Sequence, residues 1–153
     1  MLVIILTAIF IILDQLTKYL VVLNLKGQPP LVIKDNFLNL YYLENRGAAF
    51  GMLQGKQILF TIITIAVIII LLRVLLKDYK NSPLMLKICV SLILGGTIGN
   101  FIDRIRLKYV VDFISMRFFG YDFAVFNIAD TFIVIGTILL ILLILMKEDK
   151  LYI

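Results

Sequence analysis

The sequence predicts an all-α membrane protein: a bundle of four transmembrane helices with a small β-rich surface piece between helices one and two. Three observations predict it. Hydrophobic residues make up 62% of the 153 residues and charged residues only 16%, with a mean hydropathy of +1.07. A soluble domain averages roughly 45–50% apolar and about 25% charged residues. A chain this small has too much surface for its volume to hide the excess in one aqueous core. Second, four separate stretches approach the roughly 20 apolar residues that cross a bilayer. Third, a stretch of different texture, with breakers and aromatics, lies between the first two of them. The length predicts a single domain, residues 1–153.

The first helix is expected over about residues 1–23, with Asp14 and Lys18 inside it. Its start resembles a secretory signal but has no positive n-region and no small-residue cleavage site, so it reads as a retained helix. Lys26-Gly27-Gln28-Pro29-Pro30 breaks it. The β-like piece follows over about 28–50, with Asp35-Asn36 as a turn between two short strands. Open sheet edges are too costly for lipid, which puts this piece on the membrane surface with its aromatics at the interface. Helix two is expected over about 57–76 and is rich in Ile. Helix three is expected over about 84–105, with Ser82 as N-cap and Pro83 in the first helical position. A non-helical connection, about 107–124, leads to helix four over about 125–146.

An even number of helices puts both termini on one side and both long connections on the other. The terminal side carries Arg73, Lys77, Lys80, Lys87, Lys147 and Lys150. The other carries Lys26, Lys34, Arg46, Lys56, Arg104, Arg106, Lys108 and Arg117. Six against eight, spread over segments of unequal length, leaves the orientation open on charge alone. The net charge of +5 suits an anionic lipid surface, and no basic stripe stands apart to hold nucleic acid.

The composition also restricts the chemistry. There is no His and a single Cys, Cys89. That excludes Ser-His and Cys-His nucleophile pairs, His-ligated zinc and an internal disulfide. Cys89 reads as a small buried hydrophobe. Acid–base work falls to Asp, Glu, Lys or Tyr. Ionisable residues inside a membrane are costly and are usually paired or functional. Asp14 and Lys18, four apart on one helical face, are placed to pair. Glu44-Asn45-Arg46-Gly47-Ala48-Ala49-Phe50-Gly51 combines an amide with small residues that admit a close approach. Asn100, Asp103 and Arg104 share a face behind Gly95, Gly96 and Gly99, which permit tight helix packing. A purely structural alternative pairs Asp103 with a neighbouring Arg. Asp112 precedes helix four, and Asn127 and Asp130 share a face about one and a half turns into it. Two carboxylates brought together share a proton, giving one general acid and one general base. On spacing alone, two unrelated carboxylates, Asp112 solvated and Asp130 bonded within the bundle, remain the slightly favoured alternative.

Taken in order, these residues resemble the lipoprotein signal peptidase (signal peptidase II) family. The motifs are Asp14-Gln15-x-Thr17-Lys18, Asn45-x-Gly47-Ala48-Ala49-Phe50, Gly99-Asn100-x-x-Asp103-Arg104, Val111-Asp112-Phe113 and Phe126-Asn127-x-Ala129-Asp130. The resemblance implies an intramembrane aspartic endopeptidase of the bacterial cytoplasmic membrane. It implies a prolipoprotein substrate carrying diacylglycerol on a Cys, with cleavage just before that Cys. The catalytic pair then falls on Asp112 and Asp130. Supporting roles fall on Asp14, Lys18, Asn45, Arg46, Gly47, Asn100, Asp103, Arg104, Asn127 and Ala129. It further implies cytoplasmic termini, an extracytoplasmic active site and surface piece, and contact with membrane lipid. No metal or organic cofactor is expected, and the protein is expected to be monomeric. Three rivals stand beside this reading. One is a small ion or proton transporter using Asp14, Asp103 and Asp130. The second is an Mg²⁺-dependent membrane enzyme, since that cation prefers carboxylate oxygens. The third is a structural membrane subunit.

Overall fold

The computed structural model describes residues 1–47, 55–77 and 79–146. The Ala48-Ala49-Phe50 part of the second motif and the C-terminal lysines lie outside them. The order of elements is α1 (Leu2–Leu25), β1 (Leu31–Lys34), β2 (Leu38–Asn45), α2 (Gln57–Lys77), α3 (Leu84–Leu107), β3 (Val110–Phe118), β4 (Tyr121–Asp122) and α4 (Ile128–Leu145). All four helices are long and apolar enough to cross a membrane, as the hydropathy predicts. Side chains such as Ile4, Ile58, Ile62 and Ile138 point outward, which suits contact with lipid.

The central helix is α3, which packs against α1, α2 and α4. Small residues let the backbones approach. A Cβ on Gly96 would strike the Ala129 carbonyl of α4, and one on Gly95 would strike Phe10 of α1. Away from the sheet, Val3, Leu71, Leu75, Val90, Ile93 and Leu94 close an aliphatic core. The Met1 ammonium meets the Tyr79 hydroxyl there, so α1 begins beside the α2–α3 turn.

The other end is organised by a four-stranded antiparallel sheet in the order β1-β2-β3-β4. The predicted Asp35-Asn36 turn is present, with Asn36 in the left-handed region at φ 55° and the Phe37 N–H on the Lys34 carbonyl. The sheet extends beyond the stretch expected from sequence. Its third and fourth strands come from the α3–α4 connection, read in the sequence only as non-helical. Strand pairing between residues that lie 65 and 69 positions apart in the chain, Asn45 with Val110 and Leu43 with Asp112, leaves no local periodicity to read. Lys108 adopts the left-handed conformation at φ 68°, which closes α3 and turns the chain into β3 within two residues.

Two helix starts also differ from expectation. Pro83, not Ser82, occupies the N-cap of α3. Helix α4 begins at Ile128 rather than near residue 125, because Asn127 caps it. The Asn127 side chain accepts from the Asp130 N–H at 3.0 Å, and the Asp130 carboxylate accepts from the Asn127 N–H at 3.1 Å. This reciprocal box fixes the first turn. Phe126 is meanwhile held extended by bonds to Ile114. Asp130 therefore sits in the first turn of α4, closer to the helix start than the sequence spacing indicates.

Candidate active site

Asp112 and Asp130 line one cavity of about 560 Å³. Asn45, Asn100 and Arg104 join them in the polar part of its wall. Phe60, Phe123, Phe126, Val134 and Ile135 form an apolar part. A carboxylate from β3 and one from the start of α4 thus face a space floored by hydrocarbon. They stand 18 positions apart in the chain, and the β3 ladder together with the α4 cap brings them to one place.

Each carboxylate is held by amides. Asp112 Oδ2 accepts from Asn45 Nδ2 at 2.8 Å, and its Oδ1 accepts from Asn127 Nδ2 at 2.7 Å. Asp130 Oδ1 accepts from Asn100 Nδ2 at 2.8 Å. Asn127 touches both acids: its side chain donates to Asp112 and its backbone N–H to Asp130. Asp112 is 2% exposed. Burial pushes its carboxyl up to about 6, and the neighbouring charge of Asp130 pushes in the same direction. The bonds from Asn45 and Asn127 oppose that rise.

Behind the two acids lies a buried ion triad. Lys18 Nζ stands 2.9 Å from Asp14 Oδ2 and 2.9 Å from Asp103 Oδ2. The expected Asp14–Lys18 pair is present, but the partner of Asp103 is Lys18 of α1 and not an adjacent Arg. Burial of three charges is tolerable only when each is paired and hydrogen-bonded. Here the leftover acceptors are filled. Asp14 Oδ1 accepts the Ala129 N–H at 3.1 Å, and Asp103 Oδ2 accepts the Val111 N–H at 3.2 Å. Lys18 also donates to Asn100 Oδ1 at 2.8 Å, so one amide links the triad to Asp130. A Cβ on Gly99 would strike the Asp14 carboxylate. Glycine at 99 lets α3 approach this acid.

The structure brings Asp14, Lys18, Asn45, Asn100, Asp103, Arg104, Asp112, Asn127 and Asp130 into one connected region. Ala129 contributes through its buried N–H on Asp14, and Gly47 through its N–H on Asn45 Oδ1 at 2.9 Å. Arg104 stacks its guanidinium 5.0 Å from the Phe60 ring centre and donates to the Asn100 carbonyl at 3.4 Å. Among the described residues it has no ion pair, and its side chain lines the cavity. Arg46 stands apart: it pairs with Glu44 and lies over Tyr109, and it is not among the residues that line the cavity. Gln15, a position of the first motif to which the sequence assigned no role, is a further participant. Its amide donates to Asp14, the Gly99 carbonyl and Asp103 at 3.0–3.2 Å, tying α1 to α3. Its place beside Asp14 in an otherwise apolar helix is the signal that marks it.

Comparison with known proteins extends this picture. The family model described as Signal peptidase (SPase) II matches residues 6–146. A lipoprotein signal peptidase of Caldanaerobacter subterraneus subsp. tengcongensis is 47% identical over 144 residues, covering 94% of this chain and 96% of the relative. One from Staphylococcus aureus is 43% identical over 151 residues, covering 95% and 92%. Two solved structures described as bacterial membrane enzymes are similar in fold. One has a TM-score of 0.84 at 38% identity, covering 99% of this chain and 92% of that one. The other has a TM-score of 0.81 at 41% identity, covering 97% and 94%.

Proposed function

The chain belongs to the signal peptidase II family, and from that premise we propose that it removes signal peptides from prolipoproteins as an intramembrane aspartic endopeptidase. The substrate carries diacylglycerol on a Cys, and the bond cut is the one just before that Cys. The protein is a multi-pass membrane protein of bacteria with cytoplasmic termini and a site at the outer face. The observation that carries the mechanism is the pair of carboxylates, Asp112 and Asp130, facing one cavity and cross-linked by Asn127.

Two close carboxylates in a poorly hydrated site hold one proton between them. The ionised member takes a proton from water as the water oxygen bonds to the scissile carbonyl carbon. The protonated member gives its proton to the carbonyl oxygen. Collapse of the resulting diol breaks the carbon–nitrogen bond, and the pair delivers a proton to the departing amine of the Cys. Arg104, a cation in the cavity wall, stabilises the negative charge that develops on oxygen. A lipid-anchored substrate brings its scissile bond to the membrane surface, and Asp130 in the first turn of α4 is at matching depth. Asp14, Lys18 and Asp103 act from behind, fixing α1, α3 and the start of α4.

The test is incubation of the detergent-purified protein with a lipidated precursor, with a shortened product as readout. Asp112→Asn and Asp130→Asn should each lower turnover by about 10³-fold or more with the fold retained. Full activity in either variant overturns the assignment. EDTA should leave turnover unchanged, whereas an Mg²⁺ enzyme would be silenced. A transporter needs acids along the depth of the membrane. The buried Asp14, Asp103 and Asp112 and the half-buried Asp130 instead gather at the sheet end.

A further inference from the structure

Among the described residues, Asn45 carries one of the two hydrogen bonds on the Asp112 carboxylate, yet it is the last residue of β2. The β2–β3 register shifts between Leu40 and Leu43, so only three pairings follow the irregularity: Leu43 with Asp112, Glu44 with Val111 and Asn45 with Val110. A bulge re-aims the strand that follows it but leaves that strand with few ladder bonds of its own. Something else has to hold this short end.

Side chains alternate along a strand, so Asn45 faces the cavity and Tyr42 and Glu44 face the other way. On that far face Tyr42 packs in the cluster with Val21, Val111 and Phe113. The Tyr42 hydroxyl donates to Glu44 Oε1 at 3.0 Å and lies 3.0 Å from the Tyr109 hydroxyl. Tyr42 has one hydroxyl proton, and Glu44 takes it. The Tyr109 hydroxyl is therefore the donor to Tyr42, and the three groups form a directed chain that ends on a carboxylate. Tyr109 is the residue before Val110, the ladder partner of Asn45. Arg46 donates to Glu44 Oε2 at 3.0 Å and covers the Tyr109 ring. Lys26 at the end of α1 reaches Glu44 at 3.6 Å and covers the Tyr42 ring. The Glu44 carboxyl is held below its ordinary value by Arg46 first and Tyr42 second, so it is ionised when the site works.

We propose that Glu44 is a positioning residue for the reaction. Through the Tyr109–Tyr42 chain it holds the bulged end of β2, and so keeps the Asn45 amide on Asp112. The proposal rests on the aspartic reading above. Glu44 touches neither the cavity nor the two acids; it acts through the strand.

The experiment compares wild type, Asp112→Asn, Glu44→Ala, Glu44→Gln and Tyr109→Phe in detergent with a lipidated precursor. It measures kcat, KM, the pH–rate profile and the melting temperature. Glu44→Ala should lower kcat by about 10-fold or more with KM changed less than about 2-fold, since misplacement of a catalytic contact costs rate. Asn45 lowers the affinity of Asp112 for its proton, so loosening it should move the alkaline edge of the profile upward by roughly half a pH unit. Tyr109→Phe, which loses one oxygen and keeps its ring, should move the edge in the same direction by less. Glu44→Gln keeps an oxygen for Tyr42 and should stay near the wild-type edge. A merely structural brace would lower the melting temperature and leave kcat per folded enzyme and the edge in place. That result overturns the proposal, as does a Glu44→Gln edge displaced as far as that of Glu44→Ala. Activity surviving in Asp112→Asn would instead overturn the aspartic reading itself.

Discussion

At the Met1 end of the bundle, α1, α2 and α3 meet through Val3, Leu71, Leu75, Val90, Ile93 and Leu94. At the sheet end, α1 and α3 meet again, now through Asp14, Gln15, Lys18, Asn100 and Asp103. The first contact is generic: in lipid, close packing of aliphatic chains and small residues holds helices together. The second is directional, since every buried charge must find a partner at hydrogen-bond distance. Packing alone leaves neighbouring side chains free to settle within tenths of an ångström. A triad of ions with filled acceptors does not, and it lies directly behind the two acids. The difference teaches where positional precision is concentrated in this molecule.

The largest expected effect breaks the directional end. Lys18→Met leaves Asp14 and Asp103 facing each other without their cation, and removal of one partner from a buried pair costs about 3–5 kcal/mol. Denaturation in detergent should show that loss, with turnover falling as well. Next, Gly99→Ala and Gly136→Ala compare the two ends directly. The added Cβ meets the Asp14 carboxylate in the first, and Ile93, Leu92 and the Cys89 carbonyl in the second. Overpacking should destabilise both by about 1–3 kcal/mol. Only Gly99→Ala should also lower turnover per folded molecule, by about 10-fold or more. Equal activity in the two variants would erase the distinction between the ends.

The pH dependence sharpens the same comparison. Asp112 is pushed up to about 6. A dyad that needs one proton should lose activity as pH rises through that value. The native state also keeps this proton after an unfolded chain has released it, so stability should fall as pH rises from about 4 to about 6 and level off above. Asp112→Asn should remove that slope. The smallest effect belongs to the aliphatic end and has the opposite sign. Among the described residues, Thr7 Oγ1 is a buried side-chain oxygen with no hydrogen-bond partner. Thr7→Val should therefore stabilise the protein by about 1 kcal/mol with unchanged turnover.

The amino-acid sequence by itself determined the four spanning helices, the Asp35-Asn36 hairpin and the pairing of Asp14 with Lys18. All three are written in neighbours a few residues apart: unbroken apolar runs, a turn dipeptide, an i, i+4 spacing. The family motifs identified the polar residues that converge, because they recur in order along the chain. Only the tertiary structure decided that the α3–α4 connection completes the sheet, that Asp103 takes Lys18, that Gln15 ties α1 to α3 behind the acids, and that Glu44 meets Tyr42 on the far face of β2. These contacts join residues far apart in the chain or on opposite faces of a strand. Such pairings are chosen by which surfaces the packed helices and the ladder bring together. A buried carboxylate accepts whichever cation the fold delivers to it, and nothing local to Asp103 names Lys18 in advance.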